Sequence, residues 1–232
     1  MKTIGLLGGM SWESTQSYYK TINESVKVKL GGLHSAKVAL YSVNFAEIEE
    51  RQHQGKWDET AEILSDAALS VEKGGADFLL ICTNTMHKVA PQIEEKLSIP
   101  LLHIADTTAE KLIESSVKTV GLLGTAFTME QNFYKGRLTD KFGIDVVVPE
   151  QEDRQTVHNI IYQELCKGEI KESSRQSYIS IIDKLKESGA EAVILGCTEI
   201  ALLVQQQHTD VPLFDTTAIH AEAAVQMALS EI

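Results

Sequence analysis

The chain has 232 residues, 43% of them hydrophobic and 23% charged, values close to the globular average that exclude a disordered or collagen-like protein. Lys and Arg number 21 against 33 Asp and Glu, a net charge of −12. So acidic a surface repels phosphate backbones and anionic headgroups, which argues against nucleic acid or a membrane as partner. An acidic small substrate would need local positive charge or aimed N–H donors.

At about 150 residues per domain, the length allows one large domain or two small ones. The opening MKTIGLLGGMSWE has one Lys, a short apolar run and then an acid. It reads as a first strand, not as a signal peptide. Short apolar runs rich in β-formers follow at 3–7, 37–43, 77–81, 101–104, 119–123, 144–148, 192–195 and 213–214. None approaches the roughly 18 residues needed to span a bilayer. Helical patterns separate these runs, and continuous apolar strands alternating with amphipathic helices predict parallel sheets covered on both faces. Thr128 with Gln131 and Ser173 with Gln176 fit capping boxes, and Gly74, Gly143, Gly168 and Gly189 stand where helical patterns stop. Cys82, Cys166 and Cys197 are too few and too scattered for a disulfide framework or a zinc site, so they read as reduced thiols of a cytoplasmic protein.

An internal repeat is more informative. KTIGLLGG at 2–9 returns as KTVGLLGT at 118–125, and ADFLLICTNT at 76–85 returns as AEAVILGCTE at 190–199. IPLLHIADTT at 99–108 is echoed by VPLFDTT at 211–217. Three matches in one order at nearly one offset imply two copies of one βα unit, related by a pseudo-twofold. Open α/β sheets bind ligands beyond the carboxyl ends of their strands. Two such domains facing each other would bring equivalent strand ends to one cleft, and the offset pairs Thr83 with Cys197.

GCTE at 196–199 follows a buried strand and opens a helix. A thiol there would see aligned N–H dipoles that favour thiolate. Gly196 would let backbone approach a ligand, and Thr198 and Glu199 fall in the first turn, where hydroxyl and amides can hold a carboxylate. A buried structural thiol is the plainer reading; strand-end position and the repeat favour the functional one. In CTNTMH at 82–87, Thr83, Asn84 and Thr85 offer hydroxyls and an amide at a second helix start. Alone this would be an N-cap cluster; paired with GCTE it reads as a carboxylate cradle. Cys82 points to the opposite face from Thr83 and reads as a core thiol. In GLLGGMSWEST at 5–15, the glycine pattern matches neither nucleotide fingerprint, so Gly8 and Gly9 are expected to bring backbone close to a small ligand, with Met10 at the cleft. For Arg51, Gln52 and His53 a solvated helix face and a loop gripping a substrate side chain stand about even, with Gln52 the candidate contact. The other histidines show no metal spacing, and no metal ligand set is expected.

GLLGGMSWEST, CTNTMH and GCTE, in this order and spacing, resemble the aspartate/glutamate racemase family over essentially the whole chain. The likeness is nearest to the branch with broad or L-aspartate/L-glutamate activity. It implies two α/β domains with the last segment returning to the first, 1–98 with 210–232 and 99–209, and the active site between them. It further implies a homodimer, an amino-acid substrate, and neither pyridoxal phosphate nor metal. In that family two cysteines flank the substrate α-carbon, one removing a proton and the other delivering one. This chain keeps the second as Cys197 and has Thr83 at the first; where many members carry a lysine it has Cys166. Thiolate is a suitable base, whereas a threonine hydroxyl is a poor one, which predicts an asymmetric, L-preferring enzyme with a slow reverse reaction. Two other readings stay open: a one-cysteine enzyme resembling arylmalonate decarboxylase or maleate isomerase, and a non-catalytic amino-acid-binding protein. A nucleotide-binding protein is a distant third.

Overall fold

The computed structural model describes residues 1–230 and shows two compact units. The first takes Met1–Ile104 and the segment beginning at His220; the second takes Ala105–Ile219. The first unit runs β1 (Ile4–Gly8), α1 (Trp12–Leu30), β2 (Val38–Ser42), α2 (Phe45–His53), α3 (Trp57–Lys73), β3 (Phe78–Ile81), a 3-10 turn at Thr85–Val89 and α4 (Ala90–Lys96). The chain continues through α5 (Ile104–Glu114), β4 (Thr119–Gly124), α6 (Ala126–Glu130), α7 (Asn132–Gly136), β5 (Asp145–Val147) and α8 (Gln151–Gln163). Then come α9 (Glu172–Glu187), β6 (Ala192–Gly196), α10 (Ile200–Leu203), β7 (Leu213–Asp215) and α11 (Thr216–Leu229).

Both sheets are parallel, ordered β2-β1-β3 and β5-β4-β6-β7. Strands β1, β3 and β6 are buried along their whole length, as a sheet covered on both faces requires. Helix periodicity supplies the cover. On α1, Tyr18, Ile22 and Val26 recur every fourth residue and pack with Leu80, Ala221, Ala224 and Val225. On α3, Ala61, Leu64, Ala68 and Val71 form the stripe against Leu79 and Ile81. Tyr178, Ile181, Ile182 and Leu185 of α9 do the same for the second sheet. At about 1.5–3 kcal/mol for each large apolar side chain withdrawn from water, these stripes decide which face of each helix turns inward.

Five expectations from the sequence are corrected by the structure. The run at 101–104 is not a strand: only Leu101 bridges, to Leu79, and Ile104 already begins α5. That bridge keeps 99–104 with the first unit, and pairing of β7 with β6 keeps 210–219 with the second, so divisions at 98 and 210 cut through both pairings. Thr128 does not start a helix; Thr125 caps α6, its side chain accepting from the Thr128 amide. Ser173 lies inside α9, and Gln176 bonds Glu172 instead. Gly74 keeps an ordinary φ of −72°, and Gly75 takes the left-handed position at +89°.

Candidate active site

The register of β1 on β3 sets Leu7 beside Ile81, so the turn after Gly8 lies next to the turn after Ile81. Both glycines are used internally. A Cβ on Gly8 would stand 2.4 Å from Thr15 Cγ2; on Gly9, at φ +92°, it would stand 2.2 Å from the Val43 carbonyl. The close approach expected of a ligand is thus taken up by Thr15 and Val43. The Gly9 amide donates to Thr15 Oγ1 at 2.8 Å, and Ser11 caps α1 by accepting from the Ser14 amide. Met10 is buried in the cluster of Leu7, Ile48 and Ile81.

On the neighbouring turn, Cys82 is fully buried among Leu6, Leu80 and Tyr18, and burial pushes its thiol far above the ordinary range. Its carbonyl accepts from Ser14 Oγ at 2.8 Å. Thr83 is half-buried, while Asn84 and Thr85 are buried. The helix expected here is only the 3-10 turn, followed by α4. In α2, Arg51 bonds the Glu47 carbonyl and pairs with Glu59, and His53 bonds the Glu49 carbonyl. Gln52 between them turns inward and is 2% exposed.

In the second unit, Gly124 pairs with Gly196 and Leu195 with Asp215, which aligns the carboxyl ends of β4, β6 and β7. Thr125, Cys197, Thr198, Glu199, Thr216 and Thr217 follow directly. Gly196 is again an internal necessity, since a Cβ there would stand 2.7 Å from the Leu123 carbonyl. Thr216 Oγ1 donates to the Leu195 carbonyl and Thr217 Oγ1 to Thr198 Oγ1, at 3.0 and 3.1 Å. The pair ties the GCTE turn to the last strand. This brace is not evident from GCTE alone; the signal for it is VPLFDTT as an echo of IPLLHIADTT. Burial raises the Asp215 carboxyl, although two backbone amides bond it.

Cys197 is half-buried, and its thiol donates to Glu199 Oε2 at 3.0 Å; Glu199 is 7% exposed. The thiolate expected at a helix start is overturned here. The following α10 has only four residues, too few for a strong dipole. Burial is the main influence and raises the thiol well above its ordinary range, and the Glu199 charge and Cys166 raise it further. Cys166 sits in a 3-10 turn, Leu165–Lys167, against the same apolar cluster as Cys197. The turn therefore holds a protonated thiol aimed at a carboxylate acceptor.

A family model for Asp/Glu/hydantoin racemases matches residues 7–224. The chain belongs to this family. It is an enzyme of the isomerase class, an amino-acid racemase by family. A crystal structure from Yersinia pestis, provisionally named an Asp/Glu racemase, is 56% identical with a TM-score of 0.93, covering 99% of this chain and 100% of that one. An aspartate racemase homologue from Pyrococcus horikoshii is 35% identical with a TM-score of 0.86, covering 98% and 99%. The broad specificity amino-acid racemase RacX of Bacillus subtilis is 24% identical over 230 residues, 98% of each chain. Among the described residues of this racemase, no helix is long and apolar enough to cross a membrane, and no group of His, Cys, Asp and Glu is arranged to hold a metal ion.

Proposed function

We propose that this racemase inverts the α-carbon of aspartate, glutamate or a related amino acid, with Cys197 serving one face and Thr83 the other. The observation that carries the reading is the thiol of Cys197 directed at Glu199. Glu199 takes the thiol proton as substrate enters. The thiolate removes the α-proton of the L enantiomer, and the electron pair moves into the carboxylate as an enediolate. Hydroxyls and amides of the two strand-end turns, Asn84, Thr85 and Thr198 among them, hold that carboxylate, and exclusion of water strengthens every such bond. A proton returns to the opposite face from the Thr83 hydroxyl or a water it holds, and solvent replaces it. Met10 and Gln52 line the site and set its shape.

The asymmetry has a definite form. L and D enantiomers are equal in free energy in water, so kcat/KM is equal in the two directions. The Thr83 face is slow to remove a proton, because a hydroxyl is a far weaker acid than a thiol and its alkoxide is rarely present. The L preference therefore shows in kcat, in KM and in which enantiomer exchanges its α-proton. We further place the enzyme in the cytoplasm as a homodimer. Supporting the dimer is a groove beside β2 lined by Trp12, Tyr19 and Leu40, all exposed.

Incubation with each L- and D-amino acid in D2O, following α-deuteration and optical rotation, tests the reading. Deuterium should enter the L substrate faster than rotation decays. Saturable binding without exchange would overturn it in favour of a binding protein. Turnover of an arylmalonate or of maleate without exchange would favour the one-cysteine alternative.

A further inference from the structure

Three buried histidines of the first unit meet behind the Thr83 turn. The rings of His87 and His103 lie 4.5 Å apart, centroid to centroid, and those of His87 and His220 lie 6.0 Å apart. His87 stands in the 3-10 turn with 2% exposure. Its Nδ1 meets the Thr83 carbonyl at 2.8 Å, and its Nε2 meets the Ile104 amide at 3.2 Å. A carbonyl only accepts and an amide N–H only donates, so the proton must be on Nδ1 and Nε2 must be bare. The geometry requires one neutral tautomer. His220 is held in the other: Nε2 donates to the Leu102 carbonyl, and Tyr18 O–H donates to Nδ1, both at 2.8 Å.

These bonds fall at special places in the chain. Leu102 and Ile104 are among the last residues before the chain leaves the first unit, and His220 is the residue at which it returns. One imidazole thus ties the Thr83 backbone to the departing segment at the start of α5, and the next ties the returning helix to the same segment.

We propose that His87 is a positioning residue for Thr83, fixing the backbone from which the hydroxyl reaches the substrate and so setting how often a removed α-proton is replaced on the opposite face. This rests on the reading that Thr83 serves that face. His87 touches neither substrate nor Cys197 in this scheme. Its loss should leave proton removal by Cys197 in place and change the fate of the carbanion: return to the L face instead of inversion.

Two isosteric substitutions separate the bonds. The amide nitrogen of His87→Asn falls near Nδ1 and keeps donation to Thr83, whereas His87→Gln reaches the Nε2 position and keeps only an acceptor for Ile104. With the L-amino acid that wild type deuterates fastest, His87→Asn should keep the ratio of inversion to exchange, and His87→Gln should lower it about tenfold, as misplacement of a reacting group does. Equal ratios in the two variants, with matching thermal unfolding, would overturn the proposal. A second readout needs no activity. In protein labelled with 15N-histidine, the imidazole spectrum at neutral pH should show His87 neutral with the proton on Nδ1; a cation or an Nε2–H form would overturn the hold on Thr83. Absence of exchange in wild type would sink the racemase reading instead, and the spectrum would still decide the tautomer. The same spectrum decides if His87→Gln does not fold.

Discussion

Cys197 donates its thiol proton to Glu199, two residues along the same turn, across 3.0 Å. In the proposed mechanism this contact makes Glu199 both a brake on the thiolate, through its charge, and the acceptor of the thiol proton. Glu199→Gln removes a negative charge that raises the thiol, so alkylation of Cys197 by iodoacetamide should begin at lower pH than in wild type. Exchange at the α-carbon should nevertheless fall by about a hundredfold or more, because a positioned base is gone. Unchanged exchange would leave Glu199 with a role in binding alone.

The three cysteines should separate cleanly. Cys197→Ser should abolish exchange, since a serine hydroxyl does not ionise at neutral pH. Cys166→Ser should retain it, because Cys166 lies in a side turn against the apolar cluster. Cys82→Ser puts an unsatisfied hydroxyl into a fully buried site and should cost about 1–3 kcal/mol, read from urea unfolding, with exchange intact in the folded fraction. Equal loss of exchange in Cys166→Ser and Cys197→Ser would point to a shared pocket for both thiols.

Thr83→Cys should make α-deuteration of D and L substrates comparable, by giving the second face a thiol. Thr83 is half-buried and its neighbour Cys82 is wholly buried, so the variant thiol should react with alkylating reagents while Cys82 does not. An unaltered L preference in a folded, alkylatable variant would mean that another residue sets the asymmetry.

Acid should weaken the first unit through His220. Burial lowers its pKa to about 4, against about 6.5 in an unfolded chain. Between those values the unfolded chain binds the extra proton, so stability falls as pH drops from about 6.5 to about 4 and levels off below. At about 1.4 kcal/mol per pKa unit, the full loss is about 3 kcal/mol. His220→Gln should flatten that part of the pH dependence of the urea midpoint. An identical slope in the variant would assign the acid sensitivity elsewhere.

Periodicity and the repeat made most of the frame legible. The apolar runs that became β1, β3, β4 and β6 are continuous because both faces of those strands are covered. The run at 101–104 misled because apolar content alone cannot tell a bridge residue followed by a buried helix start from a strand. Within the site, the alternation that sends Cys82 into the core and leaves Thr83 half-buried follows from strand geometry. The state of Cys197 did not follow from sequence. It depends on how soon α10 ends and on the rotamer that brings Glu199 to the thiol, and neither is written in GCTE. The glycines illustrate the same limit: Gly8, Gly9 and Gly196 look like openings for a ligand, yet each is filled by the protein's own backbone or by Thr15.

Helix α11 opens in the second unit and, from His220, lies in the first, where Ala221, Ala224, Val225 and Ala228 close the core over Tyr18 and Ile22 and the Ala228 carbonyl accepts from the Lys2 amide. A ribosome delivers residues in order, so β1, β2 and β3 emerge early with α1 and α3, but the part of their core that α11 supplies arrives only with that helix. The second unit, contiguous from Ala105 to Ile219, has its whole sequence available sooner. The usual N-terminal-first order of domain completion is thereby reversed for these two units: the first unit begins earlier, yet its core closes only after the second unit has its full sequence.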